Sequence, residues 1–75
     1  MKYAFVTGAG RGLGSGFVEY LSGNGYFVFA GVQSIKAEFK NSASVEYVQC
    51  NVGDDQSITS CVNQVKIKTK QIDLI

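Results

Sequence analysis

The residues of this 75-residue chain best suited to chemistry lie together near its start: Val6-Thr7-Gly8-Ala9-Gly10-Arg11-Gly12-Leu13-Gly14. A short apolar run, Tyr3 to Val6, leads in, and a helical pattern, Leu13, Phe17, Val18 and Leu21, leads out. A strand that enters a glycine-rich turn and opens a helix makes a site for a phosphate group. Free backbone N–H groups at the helix start point at the ligand, and the helix dipole favours negative charge there. No Asp or Glu precedes Glu19, so no carboxylate competes with that anion. The glycines divide the work: one permits the sharp turn, one lets a pyrophosphate reach the backbone, and one lets the helix pack closely.

Spacing narrows the choice of phosphate motif. G-x-G-x-x-G fails, because the third position is Leu13 counted from Gly8 and Gly10, and Ser15 counted from Gly10 and Gly12. G-x-x-x-x-G-K-[ST] fails as well, because no lysine occurs between Lys2 and Lys36. T-G-x-x-x-G-x-G fits, as Thr7, Gly8, Gly12 and Gly14.

Other reactive side chains point to less. Cys50 and Cys61 have ten residues between them, there is no C-x-x-C and no histidine, so zinc-ligand spacing is absent and no metal site is expected. Cys61 shares a helical face with Ile58, Val62 and Val65, as a buried thiol would. A net charge of +1 argues against a nucleic-acid partner bound by phosphate neutralisation. The basic cluster Lys66, Lys68 and Lys70 falls where a helix should end and complements its dipole. Met1-Lys2 is followed by too few apolar residues for a signal peptide, and no stretch is long enough to span a membrane, so a cytoplasmic protein with no membrane partner is expected.

The elements that must position these residues alternate in type. Strands are expected at Tyr3 to Thr7, Tyr26 to Ala30 and Val45 to Cys50, with a fourth beginning at Gln71 to Ile75. Helices are expected at Leu13 to Ser22, weakly at Ser34 to Lys40, and from an Asp54 or Asp55 cap to Lys68. Leu13, Phe17, Val18 and Leu21 should face the sheet from the first helix, and Ile58, Cys61, Val62 and Val65 from the last. Glu46 interrupts the third strand's apolar pattern, which suits an edge. Right-handed crossovers turn this order into an α/β fold: the first half of a Rossmann-like doubly wound parallel sheet, strand order 3-2-1-4, in one domain spanning residues 1–75. A chain this short buries only about 60–65% of its unfolded surface, so a lone core is marginal.

With strand, motif and helix in this order, the chain resembles the short-chain dehydrogenase/reductase family along its whole length. Gly10-Arg11-Gly12-Leu13-Gly14 and Val28-Phe29-Ala30-Gly31-Val32 resemble its carbonyl-reductase-like members, including the C-factor type. Asn51-Val52 stands where the family has an Asp-Val pair that contacts adenine. The Asn51 amide oxygen can accept the same hydrogen bond, although Asn51 could equally just shape a turn. Ile72-Asp73-Leu74-Ile75 resembles the lead-in to a strand that the family continues into Asn-Asn-Ala-Gly. The resemblance implies a dinucleotide cofactor and a small carbonyl or alcohol substrate. Its cofactor-binding positions here are Thr7, Gly8, Arg11, Gly12, Leu13, Gly14, Gln33, Ser34, Asn51 and Val52.

An acid at the end of the second strand would select NAD through the ribose 2′-hydroxyl, and a base would accommodate the 2′-phosphate of NADP. Val32 occupies that end, Gln33 and Ser34 follow, and Arg11 precedes Gly12. One cation, two neutral donors and no acid favour NADP, with NAD possible. The family's Tyr-x-x-x-Lys pair supplies the proton. Here Thr7, Asn24, Ala30 and Asn51 stand four residues after Tyr3, Tyr20, Tyr26 and Tyr47, and all four tyrosines are expected to be core or sheet residues. The catalytic residues are expected beyond Ile75.

Two readings follow. One is the cofactor-binding part of a reductase or dehydrogenase, inactive by itself. The other is a non-catalytic nucleotide-binding or interaction module that pairs through its open sheet edge. An unpaired edge at residues 72–75, with Asp73 its only charge, should promote self-association.

Overall fold

The computed structural model describes residues 2–74. Five elements follow in order: β1 (Lys2–Val6), α1 (Gly12–Ser22), β2 (Tyr26–Val32), β3 (Val45–Gln49) and α2 (Asp55–Lys68). The strands form one parallel sheet in the order β1-β2-β3, with Ala4 beside Val28 and Ala30 beside Tyr47. β2 is central and its residues from Phe27 to Val32 are all buried. A strand covered on both faces reads as a continuous apolar run, and Tyr26-Phe-Val-Phe-Ala is one.

Alternation along β2 divides the core. Val28, Ala30 and Val32 join Ala4, Val18 and Leu21 in the cluster under α1. Phe27 and Phe29 face the other way and join Val48, Cys61 and Val65 under α2. The helices therefore cover opposite faces of the sheet, as in the doubly wound arrangement. Small residues, Ala4 and Ala30, line the α1 side, while the α2 side carries the aromatic group Tyr3, Phe27 and Phe29, with ring centroids 5.3–6.1 Å apart. Burying side chains such as Phe29 and Val48 contributes about 1.5–3 kcal/mol each.

Several expectations need correction. The inward row of α1 is Gly14, Val18 and Leu21, one turn apart on one face. Leu13 is 77% exposed and Phe17 is exposed too. Glycine carries no apolar signal, so the stripe was displaced toward its larger neighbours. Tyr20 lies on the same outer row and is 67% exposed, not a core residue. On α2, Cys61 and Val65 are buried, Ile58 is half-buried and Val62 is exposed. No helix forms over 34–40. A tight turn closed by the Phe39 N–H donating to the Lys36 carbonyl (3.0 Å) replaces it. A single turn of helix is costly to nucleate, and Phe39 instead stacks on Tyr47 with ring centroids 5.0 Å apart.

The other boundaries shift by one or two residues. β3 is an edge of the sheet, as Glu46 implied. On the free side of β1, Leu74 forms a single parallel bridge with Ala4, and the Asp73 N–H donates to the Tyr3 carbonyl at 2.8 Å. Ile75, expected in a fourth strand, lies outside the described residues. Among the described residues, no helix is long and apolar enough to cross a membrane.

Candidate functional site

The strands of a parallel sheet all end on one side, and backbone hydrogen bonds gather those ends here. The Ala9 N–H donates to the Gly31 carbonyl (3.0 Å), tying the glycine turn to β2. The Cys50 N–H donates to the Val32 carbonyl (2.8 Å), tying the end of β3 to β2. Ala9 is buried, so the turn is fixed from beneath while its glycines stay at the surface.

Two features shape the turn. Gly8 and Gly12 both have φ of +62°, in the left-handed region that L side chains rarely adopt, and a Cβ on either would meet open space. Gly14 is needed for a different reason. A Cβ there would collide with the Gly8 carbonyl oxygen and lie 2.8 Å from its carbon. Gly14 thus lets α1 close onto the turn itself, at Gly8.

The two helix starts contrast. α2 is capped by Asp54, whose carboxylate accepts from the Gln56 N–H at 3.0 Å, and Asp55 adds an acid to the first turn. α1 begins after an extended Arg11 with no side-chain cap and no acid in its first turn. Its first N–H groups are left to an external acceptor. α2 satisfies its own N-terminus, and α1 presents its N-terminus beside the glycine turn.

Next to that turn a cavity of about 400 Å³ is lined by Gly8, Gly10, Arg11, Val32, Gln33, Ser34, Lys36 and Phe39. Ligand sites typically span about 300–1,000 Å³. Of the residues singled out in the sequence, Gly8, Arg11, Gln33 and Ser34 meet here. Thr7 and Gly12 flank them in the turn, and Leu13 projects outward from the first turn of α1. Arg11 and Lys36 give the cavity two cations, and none of its described lining residues is acidic.

Asn51 and Val52 do not line the cavity. The Asn51 N–H donates to Ser57 Oγ (2.8 Å) and its Oδ1 accepts from the Gly53 N–H (3.0 Å), so the side chain shapes the turn that leads into α2. A second lone pair on Oδ1 remains for another donor. Val52 is exposed.

Lys36 and Phe39 escaped the sequence reading, because both were placed in a helix that does not form. The usable signal was a lysine four residues beyond an apolar strand end, in a segment too short to nucleate a helix. Phe39, stacked on Tyr47, packs against Gly10 of the glycine turn and adds apolar surface to the cavity lining.

The residues present suit a nicotinamide dinucleotide. An uncapped helix start and a glycine-rich turn suit a pyrophosphate. A cationic pocket at the end of β2 suits a phosphorylated ribose. The family model for short chain dehydrogenases matches residues 2–75. A 3-amino-tetrahydro-pyrrolizinone reductase from Xenorhabdus hominickii is 33% identical over 73 residues, covering 97% of this chain and 26% of that protein. The chain belongs to the short-chain dehydrogenase family, whose members use NAD or NADP, and it spans about a quarter of the relative's length.

Proposed function

We propose that this chain is the cofactor-binding N-terminal part of an NADP(H)-dependent oxidoreductase acting on a carbonyl or alcohol. The carrying observation is the uncapped start of α1 beside a cavity lined by Arg11 and Lys36 and by no described acid. The turn Gly8 to Gly12 would hold the pyrophosphate through backbone N–H groups. Arg11 and Lys36, with Gln33 and Ser34, would hold the 2′-phosphate, and Val32 and Phe39 would wall the adenosine. Asn51 and Val52, at the neighbouring strand end, would approach the adenine edge. When bound, the nicotinamide supplies hydride transfer, and the protein's part is to bind and orient it.

The proton-transfer residues of such an enzyme find no match in this chain. Tyr3, Tyr26 and Tyr47 are half-buried strand residues, and Tyr20 is exposed on α1 with Asn24 four residues on. Asn24 itself donates to the Tyr20 carbonyl. The chain by itself is therefore proposed to bind cofactor without turning over substrate. That the relative is a reductase supports the reductive direction for the whole enzyme. A cytoplasmic location accords with NADP(H)-dependent reduction.

Calorimetric titration of the 75-residue chain with NADP and with NAD tests the reading. Tighter binding of NADP, with no nicotinamide absorbance change on adding aldehydes, ketones or quinones to NADPH, is the expected result. Binding of neither cofactor, or turnover well above the buffer rate, would contradict it. The outer row Leu13, Phe17 and Tyr20 favours a second reading, an interaction module that uses this face. Stable self-association with no affinity for either cofactor would decide for that reading.

A further inference from the structure

Cys50 and Cys61 have ten residues between them, a spacing that gives no reason to pair them. In the fold they come into one apolar cluster. Cys50 follows β3 and is half-buried, while Cys61 lies on the inward row of α2 and is 3% exposed. Both belong to the apolar cluster between the sheet and α2, with Phe29, Val48 and Val65. Both thiols are free, and the Asn51 N–H, next to Cys50, donates to Ser57 Oγ, one helical turn before Cys61 on α2.

Other groups hold them there. The Cys50 N–H is committed to the Val32 carbonyl, the Asn51 N–H to Ser57 Oγ at the start of α2, and Cys61 is fixed by the helix. Nearness is therefore a property of the strand end and the helix, and it survives a change in either thiol.

We propose that Cys50 and Cys61 are a modification site: a dithiol that closes to a reversible intramolecular disulfide by exchange with a small disulfide such as oxidised glutathione. The steps balance. The Cys50 thiolate attacks one sulfur of the small disulfide, whose S–S bond breaks. The first small thiolate leaves and takes up the proton lost by Cys50. The Cys61 thiolate then attacks the Cys50 sulfur of the mixed disulfide. The second small thiolate leaves and takes up the proton lost by Cys61. Two cysteine thiols are oxidised by two electrons, and one small disulfide is reduced to two thiols.

Cys50 opens the exchange because it is the reachable partner. Burial among apolar side chains, and then the contact with Cys50, push the Cys61 thiol up to about 12, so closure is the slow step and accelerates as pH rises. The closed ring contains Asn51 and Val52.

The test equilibrates the 75-residue chain in glutathione redox buffers, quenches with acid and reads intact mass, with and without guanidinium chloride. The expected product is a monomer lighter by two hydrogens. Its effective thiol concentration should be at least about tenfold higher in buffer than in denaturant, because the fold holds the thiols together. Cys61→Ser should stop at the mixed glutathione disulfide on Cys50, and Cys50→Ser should remain unmodified over the same period. Equal effective concentrations with and without denaturant would overturn the proposal. So would wild-type chain that halts at the mixed disulfide, or that forms mainly intermolecular disulfides.

Discussion

Arg11 and Lys36 come from segments twenty-five residues apart and reach one cavity because the glycine turn and the end of β2 are hydrogen-bonded together. If they share the 2′-phosphate, their loss should fall on NADP and spare NAD. A charge-assisted hydrogen bond contributes about 1.5–3 kcal/mol when well made. Arg11→Ala and Lys36→Ala should each weaken NADP by about tenfold, a change of about 1.4 kcal/mol, and leave NAD within error by calorimetry. Equal losses for both cofactors would remove these residues from the phosphate. The glycines separate by mechanism. Gly12→Ala meets no neighbour and should lose only the left-handed backbone cost of about 1–2 kcal/mol. Gly14→Val must move the turn or the helix and should cost at least the ~1–3 kcal/mol of overpacking. A Gly14→Val chain that melts at the wild-type temperature would contradict the contact with Gly8. Cys61 supplies a pH signature. Its pKa is raised in the fold from 9.0 to about 12, so the folded chain holds a proton that the unfolded chain has lost between those values. That contribution is complete below pH 9 and disappears as pH rises toward 12, at up to about 1.4 kcal/mol per pH unit. Cys61→Ala should flatten the alkaline loss of stability relative to wild type, and an unchanged slope would show that Cys61 titrates normally.

At the scale of elements, strands and the two long helices were legible because their signals are local and repeated: apolar runs bounded by glycine, an Asp54 cap, and spacing of three and four. What failed were positions where tertiary contact outranks pattern. The sheet selects the face of α1 that carries Gly14, and that turns Leu13, Phe17 and Tyr20 outward. Phe39 leaves a weak helical spacing to stack on Tyr47. The cavity was half legible for the same reason. Its glycine side follows a motif, whereas Lys36 and Phe39 arrive through a turn that no short pattern encodes. The outer row of α1 should therefore tolerate polar residues. Leu13→Gln, Phe17→Gln and Tyr20→Gln together should leave the melting temperature within a few degrees, because none is buried. A loss comparable to that of a core substitution in the same thermal scan would mean that this row is covered.

As a whole molecule, the described residues form a three-stranded sheet with one helix on each face, and Leu74 makes a single parallel bridge beside β1. Asp73 steadies that bridge: its carboxylate accepts from the Tyr3 N–H at 2.9 Å and its own N–H donates to the Tyr3 carbonyl. Residues 73 and 74 already engage the Tyr3 N–H and carbonyl and the Phe5 N–H on this side of β1, so their own outer edge and the exposed apolar row of α1 are the surfaces left for association. The 75-residue chain should therefore self-associate. Sedimentation at two concentrations is expected to show a concentration-dependent mass, whereas a single monomeric species with slow amide exchange through residues 72–74 would contradict it. The central claim is that the glycine turn and the end of β2 together bind a dinucleotide. Amide chemical-shift mapping on titration with NADP tests it most directly. Shifts concentrated at residues 8–14 and 32–36, saturating together, are the expected result. Saturable shifts elsewhere with these two segments unmoved, or none at millimolar cofactor, would contradict the claim.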